Sequence, residues 1–419
     1  MKITIHRGTQ EVGGTCIEIS SVNSCILVDF GLPLSFEFGD DLDAFLPEPL
    51  YSKIVKRNKK IDALLLSHAH LDHFGLIGKL PKDIPIYLGN ATAELIRFID
   101  KFTPNKIGHI NAITFQTHKP FNIGDFNITP YLIDHSAFDS HAFLIRSNKK
   151  SIFYSGDFRG HGLKSEQFDN LITNPPKVDV LMMEGTVIGE RHEERFPFEI
   201  EIEKQMVDLC RETKGAVFVT VPSQNIDRII SFSKAAKQSG RKFIIDLYSA
   251  ELFERIKDYS VDIPQSSWPD ILLWYPWIQR ENLYNNGLGW VMKKHKKWKK
   301  SLEELAVEIP NSIMMLRPPF RKQIERNVDL SNSIWVYSMW IGYLERSEPL
   351  NLLQEWTRKN GIPFVFLHTS GHAKLTDLKR LAKALSPNVL IPIHSFHADR
   401  FVEYFGNVQI VNDREIIEV

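Results

Sequence analysis

Cysteine is scarce in this chain. Cys16, Cys25 and Cys210 are its only three, and no two of them form a CxxC pair. That excludes a disulfide framework and fits a reducing compartment. No uncharged apolar run approaches the ~20 residues of a membrane span. The opening MKITIHRG alternates like a strand and lacks the charged-then-apolar layout of a secretion signal. Net charge is missing too: 51 basic residues balance 51 acidic ones, so any polyanion must be met by a local patch without help from a global field. There is no repeat of fixed period and no glycine or proline excess, which sets aside solenoid, collagen-like and disordered readings. The chain is expected to be cytoplasmic, with no membrane partner.

With 419 residues, 43% of them apolar, there is material for two or three domains. The first part is rich in short β-runs: KITIH, TCIEIS, SCILVDFG, DALLLSH, IPIYLG and FNITPYLID. Helical patterns intervene in HFGLIGKLP and in NATAELIRFIDKF, where Asn90 is the expected cap. From about residue 195 the texture changes. A helical stretch, FEIEIEKQMVDLCRET, leads into a strand–helix–strand unit, AVFVTVP, NIDRIISFSKAAKQSG and KFIIDL, which reads as part of a separate parallel sheet. NSIMMLRP and SIWVYSMW are further strand candidates. The chain closes with strand IPFVFLH, helix KLTDLKRLAKALS and strand NVLIPIH; Leu378, Leu381 and Leu385 form an apolar stripe on that helix.

One pattern links these elements. ALLLS precedes His68, YLID precedes His135, IFYSG precedes Asp157, VLMM precedes Glu184, FVFL precedes His368 and VLIPI precedes His394. Apolar runs repeatedly deliver a polar, potentially ligating residue at the carboxyl end, where sites form in layered α/β folds. In SHAHLDH, His68 and His70 share a side on extended backbone, while Asp72 and His73 turn away at the start of a helix. That spacing suits two adjacent metal ions, one on His68 and His70 and the other on Asp72 and His73. Mixed imidazole and carboxylate donors favour zinc, with manganese as the alternative. A surface loop that happens to be rich in histidine is the bland reading, and the buried-type strand directly before the motif argues against it.

This motif, with His135 and Asp157 downstream, resembles the metallo-β-lactamase superfamily. The resemblance implies that His68, His70 and His135 hold the first metal. It gives the second to Asp72, His73 and a further histidine, has Asp157 bridge the two, and sets Asp29 beneath the loop. After LMMEGT the chain resembles the β-CASP branch, which processes nucleic acids. Glu184 stands at its motif A, His372 (HTSGHA) at motif B and His394 (IPIHSF) at motif C, with Asn225 and Arg228 on the helix of the inserted domain. Histidine at motif C and the HTSGHA spelling are similar to ribonuclease J-like members; DNA-processing members tend to have valine at motif C. The chain ends soon after motif C, so the C-terminal domain of ribonuclease J is expected to be absent.

The expected fold is therefore α/β: an αββα metallo-β-lactamase sandwich over residues 1–192 and 362–419, interrupted by a β-CASP domain with a parallel sheet over 193–361. The expected activity is hydrolysis of RNA phosphodiesters by a two-metal activated hydroxide, leaving 5′-phosphate and 3′-hydroxyl ends. Asp72 orients the nucleophile. His372 stabilises the scissile phosphate or assists the leaving oxygen, and Glu184 orients His372 or His394. His368 and Ser370 are candidates for holding a neighbouring phosphate. The rivals are a DNA nuclease on the same scaffold, a non-catalytic scaffold subunit, and a small ester or thioester hydrolase. The last leaves the insert and motifs A to C without a purpose.

Other features carry a bland reading beside a sharp one. His141 reads as a hydrogen-bonded structural histidine with the cleft as alternative, and His397 as an ordinary histidine with a place behind the ligands as alternative. His6, His109, His118, His161, His192 and His295 have no supporting pattern. The run KKHKKWKK (293–300), with Trp290 and Trp298, fits either a single-strand-binding track or a solvated helix face. The aromatic clusters WIQRENLYNN and SMWIGYL read as core or dimer interface, so a homodimer is considered beside RNA as a partner.

Overall fold

The structure, a computed structural model, describes residues 1–37, 39–102, 106–189 and 195–419. His192 and the expected boundary at 192/193 lie outside them. Two compact units emerge, one of residues 1–196 and 371–419, the other of 197–370.

In the first unit two sheets face each other. One, of seven strands, runs in the order Ile416–Glu418, Lys2–Arg7, Cys16–Ser20, Cys25–Val28, Ala63–Leu65, Pro85–Leu88, Asn111–Thr114. The other, of six, runs Val389–Ile393, Val180–Glu184, Lys150–Tyr154, His141–Ser147, Phe126–Leu132, Phe121–Ile123. Ile3, Ile17, Val28 and Leu65 of the first pack against Phe143, Tyr154, Met182 and Ile391 of the second in one continuous core. Strand Val180–Glu184 is buried at every position because both of its faces are covered. Met182 points into the core between the sheets. Leu181 and Met183 join a second cluster with Phe168 and Leu171 of helix Ser165–Thr173 and Leu378, Leu381 and Leu385 of helix Leu375–Leu385. Burying each such leucine is worth about 1.5–3 kcal/mol as an upper bound. The other sheet carries helix Asn90–Ile99 beside strand Asn111–Thr114. This is the expected αββα sandwich. Asn90, however, is the first helical residue, and Gly89 occupies the cap position. The carboxylate of Asp139 comes in from a distant loop to accept from the Thr92 amide at 2.9 Å. A tertiary partner has replaced the local cap.

In the second unit every strand pair is parallel, in the order Lys299–Lys300, Ile271–Trp274, Lys242–Asp246, Ser312–Met315, Val217–Thr220, Ile334–Tyr337, Phe364–Phe366. The expected strand–helix–strand unit is present as Val217–Thr220, Ile226–Gln238 and Lys242–Asp246, but Ser312–Met315 lies between its two strands. One expected assignment is corrected here. Strand IPFVFLH was placed in the returning sandwich from residue 362. Phe364–Phe366 instead pairs with Ile334–Tyr337 as the edge of the parallel sheet, so the chain returns to the first unit only at 371. Its apolar pattern was compatible with either sheet; the ladder of backbone hydrogen bonds decides.

Arg228 illustrates how the second unit is held. It is fully buried and pairs through Nε and NH2 with Glu199 Oε1 and Oε2 at 2.5 and 3.1 Å. NH1 donates to the Ser338 hydroxyl, and Asn225 caps the helix by accepting from the Arg228 amide at 3.3 Å. Arg228 and Asn225 thus bind together a helix start, a strand end and a neighbouring helix. The basic run is partly spent in the same way. Lys294 and His295 both reach Glu251 Oε2 at 3.0 Å, Lys300 lies 3.6 Å from Glu304, and Lys297 and Lys299 sit over the rings of Trp298 and Tyr275.

Candidate metal centre

The strand Ala63–Leu65 ends just before the motif. His70 stays extended at φ −98°, ψ 144°, and Asp72 and His73 occupy the short helix Leu71–Phe74. Phe126–Leu132, Lys150–Tyr154, Val180–Glu184 and Val389–Ile393 then bring His135, Asp157, Glu184 and His394 to the same end of the sandwich. His368 and Ser370 belong to the second unit.

Three sets of donor atoms form, each within 4.8 Å: His68, His70 and His135; Asp72, His73, Asp157 and His394; and Glu184, His372 and His394. The first two sets meet at one oxygen. Asp157 Oδ2 lies 3.0 Å from His73 Nε2, 3.7 Å from His394 Nε2 and 3.8 Å from His68 Nε2. His394 Nε2 stands 3.2 Å from Asp72 Oδ2. In the third set, His372 Nδ1 is 3.1 Å from Glu184 Oε2.

His73, His68 and His135 are each aimed by a partner on the other ring nitrogen, as metal-ligating histidines usually are. His73 Nδ1 meets Asp29 Oδ2 at 2.7 Å. That carboxylate also accepts from the Ser67 amide and hydroxyl, both at 2.8 Å, and from the Tyr154 hydroxyl at 2.5 Å. His68 Nδ1 is 3.0 Å from the Ser67 hydroxyl. His135 Nδ1 donates to the carbonyl of Gly371 at 2.5 Å. Asp29 and His394 adopt left-handed backbone, φ +57° and +52°. Such conformations persist in non-glycine residues only when the surroundings enforce them, and they cluster at functional sites.

The electrostatics separate the groups. Burial holds His68 and His135 well below the usual imidazole range and brings His70 to about 4. These three are neutral and offer lone pairs. Burial works against the cation at His73 as well, but Asp157, Asp72 and Asp29 outweigh it and push His73 well above that range. At His372 burial is again outweighed, chiefly by Glu184, and the group rises to about 9. Asp72 and Asp157 stay ionised despite burial, the first held low by His73 and His394, the second by His394 and His73.

The donor set fits divalent cations. Neutral imidazoles converge with two ionised carboxylates, and among the described residues the fully buried Nε2 of His68 has no hydrogen-bond partner although Nδ1 has one. A buried polar atom left in that state is costly unless something else takes its lone pair. His68, His70 and His135 would hold one ion, and Asp72, His73 and His394 the other, with Asp157 between them.

A profile of the β-lactamase superfamily domain matches residues 38–221. Ribonuclease J of Mycoplasma genitalium is 25% identical over 97% of the chain and 70% of its own length. The chain carries a β-lactamase superfamily domain over a little under half of its length. Ribonuclease J of Sinorhizobium meliloti is 21% identical over 88% of the chain, which spans 63% of that relative. A solved structure of a protein of unknown function from Enterococcus faecalis shares the fold, with a TM-score of 0.78, 21% identity and 99% of each chain covered. Among the described residues, no helix is long and apolar enough to cross a membrane.

The superfamily motif points to the ligands and to Asp29 beneath them, and leaves the other supports without a signal. Ser67, Tyr154 and Gly371 act through hydroxyls and a carbonyl, groups with no spacing signal of their own. Gly31 is another: a Cβ there would overlap the Asp72 carbonyl, with the His73 amide nitrogen 2.7 Å away. His141 is structural, bonded to Thr117 Oγ1 at 2.9 Å and the Asp139 carbonyl at 3.0 Å. His397 is in none of the three donor sets. His6 pairs with Glu18, His161 lies 3.9 Å from Asp377 and His295 pairs with Glu251.

Proposed function

We propose that this protein is a metal-dependent ribonuclease that hydrolyses RNA phosphodiesters, leaving 5′-phosphate and 3′-hydroxyl ends. The observation that carries the reading is the meeting of two donor sets at Asp157 Oδ2. The likeness to ribonuclease J over most of the chain turns the choice of substrate towards RNA. Bound divalent ions, zinc in the first instance and manganese as the alternative, would polarise the phosphoryl oxygens and make water more acidic.

The chain's own groups do the rest. Asp72, ionised and 18% exposed at its side chain, accepts a hydrogen bond from the attacking water and orients it. His372, also partly exposed, carries its proton towards the scissile phosphate, where it stabilises developing negative charge or passes to the leaving oxygen. Glu184, fully buried, keeps that imidazole charged and fixes its plane. His368 and Ser370, in the second unit, are proposed to contact a neighbouring phosphate of the strand. A non-catalytic scaffold would have no use for a complete donor set with a charged histidine beside it.

The test is purified protein incubated with 5′-labelled and 3′-labelled RNAs bearing different 5′ ends, beside matched DNA, with and without zinc or manganese. Metal-dependent RNA cleavage supports the reading. Equal or greater turnover of DNA overturns the substrate, and no hydrolysis with metal fully bound overturns the activity. Cytoplasmic residence and a homodimer belong to the same proposal. The exposed Trp277, Tyr284, Ile341 and Tyr343 supply apolar surface for self-association, which light scattering reads directly.

A further inference from the structure

Two residues beyond the strand Val180–Glu184, the hydroxyl oxygen of Thr186 lies 2.9 Å from His394 Nδ1 and 3.1 Å from His372 Nδ1. It is also 3.3 Å from the carbonyl oxygen of His394. A hydroxyl has one proton to give and two lone pairs with which to accept. The carbonyl can only accept, so the Thr186 proton goes to it, and both Nδ1–H groups donate to Oγ1. His372 shares its Nδ1–H with Glu184, at 3.1 and 3.3 Å from the two carboxylate oxygens. The opposite arrangement, with the hydroxyl donating to His394 Nδ1, would place a proton on Nε2. That is the nitrogen 3.2 Å from Asp72 and 3.7 Å from Asp157, and the proton would remove the lone pair with which it joins them as a donor.

The backbone tells the same story. His394 is left-handed at φ +52°, its amide donates to the Gly8 carbonyl at 2.8 Å, and its carbonyl accepts from Thr186. One side chain therefore holds the ring, the tautomer and the unusual backbone of His394 while touching the ring of His372, which stacks on His394 at 26° with centroids 5.6 Å apart.

We propose that Thr186 is a positioning residue that aligns His394 and His372 through one hydroxyl, so that metal retention at His394 and the placing of His372 are set together. This rests on the reading that Asp72, His73, Asp157 and His394 hold a divalent ion. Threonine suits the task because its β-branch leaves few χ1 choices, and valine matches its shape without the hydroxyl.

The experiment compares wild type, Thr186→Val and Thr186→Ser. Metal-free protein is titrated with zinc against a chelating indicator, and RNA hydrolysis is then measured at saturating metal. Thr186→Val is expected to weaken one of two zinc ions by about 10–100-fold, as loss of a partner behind a ligating histidine does. The other ion is expected to be unmoved. At saturating metal kcat falls while KM for RNA stays near wild type, and Thr186→Ser restores both affinity and kcat. Wild-type affinities and kcat in Thr186→Val overturn the proposal, as does a Thr186→Ser variant as impaired as Thr186→Val. Should Thr186→Val lose the melting transition of the metal-free protein, Thr186→Ala replaces it in the same comparison with serine. A wild type that binds two ions without cleaving RNA overturns the ribonuclease reading alone, and the zinc titration still decides the role of Thr186. A wild type that binds no second ion overturns both.

Discussion

His394 Nε2 and Asp72 Oδ2 lie 3.2 Å apart with 322 positions of sequence between them. The last strand of the sandwich thus closes a donor set begun by the HxHxDH segment, after the chain has built the whole second unit. This contact makes the two ends of the chain interdependent at the metal centre.

Removing either end should cost one ion. His68→Ala and His394→Ala are each expected to hold about one divalent ion per chain where the wild type holds about two, by elemental analysis after dialysis. Two retained ions in His394→Ala would remove it from the ligand set.

His372 should behave differently. His372→Ala is expected to retain full metal and to lose about 10²–10⁴-fold in kcat, the range for a positioned proton donor. Steady-state kinetics on a labelled RNA, with metal content measured on the same sample, check this. Full metal with activity near wild type would exclude the role given to it.

Gly31→Ala places a methyl group where the Asp72 carbonyl sits, and that backbone has little room to yield, because the Thr15 amide bonds the same carbonyl at 3.1 Å. The variant should weaken the ion bound by Asp72 and His73 more than the one bound by His68, His70 and His135. Stepwise metal titration reads the difference.

Arg228→Met strips a buried partner from Glu199 and should destabilise the second unit by about 3–5 kcal/mol, read from the denaturant midpoint. Adding Glu199→Gln should recover part of the loss, because a neutral amide costs less to bury unpaired than a carboxylate.

Neutralising Lys294, Lys297 and Lys300 together is expected to leave the salt dependence of RNA binding close to wild type. Lys294 and Lys300 are already committed to Glu251 and Glu304, and Lys297 lies over Trp298. If the run tracks the strand, the log–log slope should instead fall by about 0.7 for each phosphate left without its lysine.

What the sequence determined by itself was local chemistry and its order. The HxHxDH spacing already placed His68 and His70 on extended backbone and Asp72 and His73 on a helix, because those relations span only a few residues. The apolar runs before His135, Asp157, Glu184 and His394 announced strands with polar ends for the same reason, as did the stripe of Leu378, Leu381 and Leu385. Other features only the tertiary structure could decide. FVFL reads identically in either sheet, and only its pairing with Ile334–Tyr337 assigned it to the second unit. Asn90 looked like a cap until Asp139 arrived from elsewhere in the fold. Lys294 and His295 looked free to meet a polyanion until Glu251 was found beneath them. Thr186, Ser67 and the Gly371 carbonyl leave no periodic trace, since a hydroxyl or a backbone oxygen gains its role only from what is brought within 3 Å or so of it. A sequence carries ligands in a form that can be read from spacing; the groups that aim them are defined by distance alone.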